Sequence, residues 1–494
     1  MNVNDMPLSV TVDDSEIAQE PATLSRRASM SSRLASSPVT RRGIWIAGDE
    51  GISSLTNFGL SILVLRSVST ADFGAFTITY TAYAFALNIC RGLVGEPQLV
   101  RHSHVEMDEW RETTKQAVGT ALVLGVVGAA LLLGVVPILS AIGGELSVTA
   151  GTLLPLAILL PALLVQDAWR YAFFAIGKPS RAFFNDLVWG ISQAGLLFLV
   201  FHDGDRTAAA LLVAWGGAAA LAAVFGLFQA AMLPRPLRAW AWLVRHKDLG
   251  PRFAAEFIVD RGSSQLMLFF VAGISGFAAV GLISAARVAL GPINFLFAGT
   301  TGFGIPEGIR IWRSRPERLG PFAWALGITL TLLAVACGTV LYFMPLNFGT
   351  ELFGRTWREA HGLIPFVTAW VAAVGLIQGA RVGLRVHAAA RQTLAVKTAF
   401  GLSVLGTCTL GAVLDGARGA SAALALVSWC AALAWWWQFR SVNRLRLGQI
   451  FSPGSPKSDM EMGHLPEKSE QSRRHGRAVH RRSRSKRSRR HSNG

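Results

Sequence analysis

Hydrophobic positions along this chain neither alternate nor form one amphipathic stripe; they run on in long blocks separated by short polar breaks. Between about Gly43 and Arg440 the blocks reach 18 or more residues, enough for a helix to cross a hydrocarbon core of about 30 Å. The pattern predicts six helices at 43–66, 74–100, 116–142, 150–176, 183–202 and 207–233. It predicts six more at 251–272, 275–303, 320–344, 361–384, 394–414 and 418–439. The breaks fall at Gly143-Gly144-Glu145, Gly177-Lys178-Pro179, His202-Asp203-Gly204-Asp205 and Asp415-Gly416, where turn formers replace apolar residues. The expected class is an all-α polytopic membrane protein with about 12 transmembrane helices.

Composition supports this and removes a soluble alternative. The 494 residues are 51% hydrophobic and 16% charged, with a mean hydropathy of +0.41, whereas a soluble domain is about 25% charged. A formal charge of +17 would suggest nucleic acid if it were spread over a soluble surface. Here it gathers at the ends and in alternate loops. Loops after even-numbered helices hold Arg101, Arg111, Lys115, Lys178, Arg181, Arg235, Arg238, Arg245, Lys247, Arg252, Arg310, Arg313, Arg315, Arg318, Arg385 and Arg391. Loops after odd-numbered helices hold only Arg66, Arg206, Arg355, Arg358 and Arg418. By the positive-inside rule both termini are expected to be cytoplasmic, with Trp435-Trp436-Trp437 as an aromatic belt on that face.

Residues 1–42 are Ser/Thr/Arg-rich and read as a disordered tail. No apolar stretch follows Arg26-Arg27, so the first helix is expected to be retained as the targeting signal. Residues 441–494 read as a second disordered tail, ending in the basic run Arg473–Arg490. That run is expected to stay solvated or to touch anionic lipid or an acidic partner; with no aromatics interleaved, nucleic acid is not expected as a partner. Cys90, Cys337, Cys408 and Cys430 lie in apolar blocks without CxxC spacing and read as small buried hydrophobes. Neither a metal nor a cofactor is expected.

The chain reads as two copies of one six-helix unit. Asn57-Phe-Gly-Leu-Ser-Ile-Leu-Val-Leu-Arg66, Ser69-Thr-Ala-Asp-Phe-Gly74 and Gly95-Glu-Pro-Gln-Leu-Val-Arg101 recur as Gln265-Leu-Met-Leu-Phe-Phe-Val271, Ser275-Gly-Phe-Ala-Ala-Val-Gly281 and Gly304-Ile-Pro-Glu-Gly-Ile-Arg310. Duplication by an even number of helices keeps both copies in one orientation and leaves a cavity between two parallel lobes. The expected organisation is an N-lobe over 43–233, a cytoplasmic linker over 234–250 and a C-lobe over 251–440. Leu63-Val-Leu-Arg66, the Ser69–Gly74 turn and Gly92-Leu-Val-Gly95 resemble the opening of the polysaccharide-export (Wzx-type) flippases of the MOP (multidrug/oligosaccharidyl-lipid/polysaccharide) superfamily. That resemblance implies a bacterial inner-membrane protein moving a polyprenyl-pyrophosphate-linked saccharide, with membrane lipids around it.

Charges inside apolar blocks are expensive, about 2.5–3.5 kcal/mol each near the bilayer centre on insertion scales, so each needs a partner, water or a function. They concentrate in the first two helices of each half. Arg287, Arg261, Arg91, Asn88 and Asn294 are expected to line a substrate cavity, Arg287 standing at mid-helix where snorkelling is hardest. Asp49, Glu50, Asp260 and Glu256 are expected to hold a coupling ion, Asp49 and Glu50 having a structural pair as their alternative. Asp167 and Arg170 stand three apart and are expected to neutralise each other; Arg91 and Glu96 could instead snorkel to headgroups.

Three rivals follow: a multidrug or cation antiporter on the same fold, a membrane glycosyltransferase or ligase, and a scaffold recruiting through its basic tail. The enzyme lacks a loop large enough for catalysis, since the longest on the non-cytoplasmic side is about 345–360, and it lacks a nucleophile or DxD motif. Mid-membrane arginines favour an anionic cargo over the cationic one.

Overall fold

The computed structural model describes residues 38–451, except 104, 259–261 and 388. The basic run Arg473–Arg490, most of both predicted tails, and Asp260 and Arg261 therefore lie outside the described residues; so does the side chain of Asn294.

Every regular element among the described residues is a helix. In the first half these are α1 (Pro38–Ser67), α2 (Thr70–Cys90), α3 (Glu96–His102), α4 (Met107–Ile142), α5 (Glu145–Ala175), α6 (Pro179–His202) and α7 (Ala208–Ala230). A π-helical turn, Arg91–Gly95, joins α2 to α3 without a break. Then come α8 (Ala239–Arg245), α9 (Gly250–Phe257), α10 (Ser263–Ala289), α11 (Pro292–Ser314) and α12 (Leu319–Phe343). The chain closes with α13 (Leu346–Phe353), α14 (Trp357–Ala360), α15 (Ile364–Val386) and α16 (Ala390–Phe451).

Two of these are pairs of helices joined at a glycine. Gly276 (φ 82°) bends α10 and Gly416 (φ 49°) bends α16, both in backbone regions where a Cβ would clash. Gly411 and Gly419 meet backbone to backbone across the second bend, so α16 folds back on itself as a hairpin. Split at Gly276 and Gly416, these two elements supply four separate helical limbs. Nine helical stretches among the described residues are long and apolar enough to cross a membrane. The kinked α16 accounts for one of the nine, and α1 falls outside them because of its charged and hydroxyl side chains. The chain is a multi-pass membrane protein.

Small residues let the rods approach. Membrane helices gain little from hydrophobic transfer between lipid and protein, so close backbone packing does more of the work. Ala214, Ala218, Ala219 and Ala222 of α7 are buried, and Gly226 meets the face of Trp169 on α5. α5 sits at the centre of the first half, between α4, α2 and α7. The same logic joins the halves. A methyl group at Gly74 on α2 would run into the carbonyl of Phe277 on α10, and one at Gly281 on α10 would run into the carbonyl of Thr70 on α2. Thr70 and Phe277, like Gly74 and Gly281, are matching positions of the sequence repeat. The two second helices therefore cross through reciprocal contacts. Beside them the hydroxyls of Thr70 and Thr356 lie 3.1 Å apart. The turn before α2 has its own cause: the Ser69 hydroxyl accepts from the Asp72 amide and donates to its carboxylate at 2.8 Å, a reciprocal cap that starts the helix.

Two expectations are corrected. Trp435 and Trp436 are buried, Trp436 stacking on Trp324 at 4.0 Å and donating to the Leu376 carbonyl; only Trp437 is exposed as a belt residue would be. Three consecutive helical residues point about 100° apart and do not share one lipid-facing side. Of the cysteines, Cys90 and Cys408 are buried, but Cys337 is only half-buried and Cys430 is exposed on an outer helix face.

Candidate functional site: a cavity with two unlike walls

A cavity of about 1240 Å³ lies between the halves. From the first half, α1 presents Glu50, Ser53, Ser54, Asn57 and Ser61 to it, a helical face at i, i+3, i+4, i+7 and i+11. That polar stripe makes α1 a poor lipid-facing helix and a good cavity wall. α2 adds Phe73, Thr77, Tyr80 and Asn88, and the π-helical turn that follows it adds Arg91. From the second half come Ser284 and Arg287 of α10, and Trp370, Val374, Gln378, Arg381 and Arg385 along one face of α15. Glu256 of α9 and Lys397 of α16 complete the rim, 3.7 Å apart.

Behind the first wall is a buried network of charges. Arg91 grips Asp167 through two hydrogen bonds of 2.9 and 2.6 Å. Arg170, deeper, donates to Asp49 at 2.6 Å and lies 3.3 Å from Asp186, 3.6 Å from Asp167 and 3.6 Å from Glu50. Gln166 donates to Asp186 at 2.7 Å and to Asn185 at 3.1 Å, and Asn185 donates in turn to the Ala222 carbonyl. Four helices, α1, α2, α5 and α6, are thereby tied through side chains that could not stand alone in lipid. Three buried aspartates share two guanidinium groups, so the cluster is one positive charge short. Asp49 Oδ1 and Asp186 Oδ2 are buried and make no hydrogen bond among the described residues, although Arg170 Nε lies 3.3 Å from the latter.

The second wall is built differently. The Arg287 guanidinium lies over the Trp370 ring at 4.7 Å, a cation–π contact that steadies a charge without neutralising it. No carboxylate pairs with it among the described residues. Arg381 lies over the Trp435 ring at 5.8 Å. Held over a ring in this way, the Arg287 guanidinium keeps its fork of N–H donors for an oxyanion such as phosphate or carboxylate.

Of the residues singled out from sequence, Arg287, Arg91, Asn88, Glu50 and Glu256 all face the cavity. Asp49 lies just behind it, 1% exposed. Two pairings differ from expectation. Arg170 reaches Asp167 only at 3.6 Å, while the closer partners come from other helices: Asp49 for Arg170 and Arg91 for Asp167. Arg91 accordingly turns inward to Asp167 instead of snorkelling outward, with Tyr171 at 5.8 Å on its flank. Asp186 is absent from the ion ligands expected from sequence. An acid inside an apolar block, beside Asn185 and three residues from Phe183 and from Trp189 on its own face, is the available signal. Nor did it find the cluster of Tyr80, Tyr83, Trp189 and Trp215, whose rings pack at 4.9 to 6.0 Å beside the cavity.

No family model matches the sequence, and no curated protein does. Solved structures do match. One, described as the inward-facing conformation of a multidrug resistance MATE family transporter of the MOP superfamily, superposes with a TM-score of 0.64 at 12% identity, covering 80% of this chain and 96% of the other. The lipid II flippase MurJ in an inward closed conformation gives 0.61 at 11% identity, covering 83% and 92%. A MOP superfamily transporter from Pyrococcus furiosus, described as having reverse polarity of its binding pocket suggesting a different function, gives 0.51 at 12% identity, covering 83% and 96%. At such identities the likeness is one of fold, and the fold of this chain is that of the MATE and MurJ transporters of the MOP superfamily.

Proposed function

We propose that the protein is a flippase for an anionic lipid-linked saccharide, a polyprenyl pyrophosphate or a similar glycolipid, which it moves from the inner to the outer leaflet of a bacterial inner membrane. The observation that carries this reading is Arg287: a cation inside an apolar helix bundle, facing a large cavity, with an aromatic ring beside it and no carboxylate pairing with it among the described residues. A pyrophosphate supplies the missing charge. Sugar hydroxyls suit the opposite wall, where Ser53, Ser54, Asn57 and Ser61 offer both donors and acceptors. The lipid tail stays in the bilayer through the gap between lobes 43–233 and 251–440.

The lobes rock about the α2–α10 crossing, which closes the cavity at one end while the arginine-rich end is open. With both termini cytoplasmic, the open end faces the cytosol. A cytosol-negative potential then favours export of the anion by about 2.3 kcal/mol per charge per 100 mV. The charge-deficient cluster of Asp49, Asp167 and Asp186 takes the coupling cation, a proton or Na⁺, with Glu50 at its rim. Asp260, Arg261 and Asn294 stay as proposed cavity and ion ligands on sequence grounds alone.

A second reading, export of a cationic drug, is favoured by that same excess of buried carboxylate and by the MATE-like fold. Reconstitution separates the two. In proteoliposomes with a fluorescent polyprenyl-pyrophosphate saccharide, the wild type is expected to expose label to an external quencher faster than Arg287→Ala does. Ethidium efflux with no movement of the labelled lipid would sink the flippase reading. In cells, Arg287→Ala and Arg261→Ala are expected to lower surface glycan at unchanged protein level.

A further inference from the structure

The segment between the halves carries an apolar face that none of the other described residues covers. Leu237, Trp240 and Val244, at i, i+3 and i+7 over α8 and the turn before it, are 98%, 76% and 46% exposed. On the opposite side of the same helix, Ala239, Trp242 and His246 are buried at 5%, 0% and 1%. The inner face is pinned in three places. Trp242 Nε1 donates to the Leu93 carbonyl at 3.1 Å, His246 Nε2 lies 3.3 Å from His102 Nε2, and the Arg235 amide donates to the Lys115 carbonyl at 2.8 Å. The outer face therefore points outward by construction and not through a loose tether.

Around that face stand Arg235, Arg238, Arg245 and Lys247, all exposed. Arg235 is paired with Glu112 at 2.5 Å and Asp248 is engaged by Arg101 at 2.5 Å, so Arg238, Arg245 and Lys247 are the flanking cations that form no ion pair among the described residues. The apolar band also continues an existing one: Leu221, Val224 and Phe228 are exposed along α7, a candidate membrane span, and Leu233 carries the band out of that helix. A surface continuous with a hydrocarbon-facing helix, flanked by cations, fits one occupant. An apolar stripe seats in the boundary between acyl chains and headgroups while flanking Arg and Lys contact anionic phosphates.

We propose that residues 233–247 form an interfacial anchor that lies in the headgroup layer of an anionic leaflet and holds the junction between the two halves against the membrane surface. The anchor is separate from the cavity and does not depend on what the cavity carries.

The test uses the full-length protein in vesicles of phosphatidylcholine alone or mixed with phosphatidylglycerol. Subtracting the emission of Trp240→Phe from that of the wild type isolates Trp240. In phosphatidylglycerol vesicles, lipid brominated near the glycerol end of its chains is expected to remove more than half of the Trp240 signal, while aqueous acrylamide removes little. Replacing Arg238, Arg245 and Lys247 together by Gln is expected to cut the lipid quenching at least twofold and to abolish its preference for phosphatidylglycerol, with helix content by circular dichroism unchanged. Strong acrylamide quenching of Trp240 in vesicles, with none from brominated lipid, would overturn the proposal and leave the face to a protein. Equal lipid quenching with and without phosphatidylglycerol would overturn its anionic part.

Discussion

The two walls of the cavity hold similar numbers of charges and treat them in opposite ways. On the first-half wall each guanidinium is committed: Arg91 to Asp167 by two hydrogen bonds, Arg170 to Asp49 with three more carboxylates within 3.6 Å. On the second, Arg287 rests on Trp370. The first arrangement lowers the cost of burying charge and ties helices together. The second leaves a charge with no carboxylate pairing with it among the described residues, which costs stability and gives a binding site its attraction. A membrane protein keeps an uncompensated cation where something else is to neutralise it.

That contrast can be broken at its strongest point first. Arg170→Met strands two buried aspartates, Asp49 and Asp186, while Asp167 keeps Arg91, and removing one partner of a buried pair costs about 3–5 kcal/mol. Thermal unfolding in detergent is expected to show a collapsed midpoint or no folded protein; a variant as stable as the wild type would show the network to be ornamental. Asp167→Asn keeps the shape but halves the grip on Arg91, with an expected loss of about 1–3 kcal/mol, read as a lower unfolding midpoint. Arg287→Ala should reverse the pattern. Its unfolding midpoint is expected to hold or rise slightly, while lipid-linked saccharide transport falls about tenfold, equivalent to about 1.4 kcal/mol. The mildest change is Trp370→Leu, which removes a cation–π contact of about 0.5–2 kcal/mol. It is expected to weaken transport by a few-fold, visible as a higher KM with a kept maximal rate.

The difference between the walls also marks what could be read from the chain. Block lengths place the rods well, because crossing a membrane imposes length and hydropathy directly. Helix ends are less legible: α4 starts at Met107, nine residues before the expected start, since its first turns carry charges and yet continue the helix. The same local habit leaves out the closer partners. Asp167 and Arg170 satisfy the i, i+3 rule and do form an ion pair at 3.6 Å; in the bundle, Asp49 on α1 and Arg91 in the turn after α2 come nearer, each to 2.6 Å. Arg287, by contrast, is legible because its placement follows from depth along one helix, with no partner to be guessed. Trp436 shows the limit from another side: a tryptophan near a helix end reads as a membrane-interface residue until its neighbour Trp324, 112 positions earlier, is brought against it.

The crossing of α2 and α10 has a consequence for assembly. Thr70 meets Gly281 and Phe277 meets Gly74, so each half offers the other the same patch, the exchange that defines an isologous interface between identical subunits. A twofold dimer is thus written within a single polypeptide. Two units able to pair through such a patch would need only a connecting segment long enough to join neighbours already lying side by side.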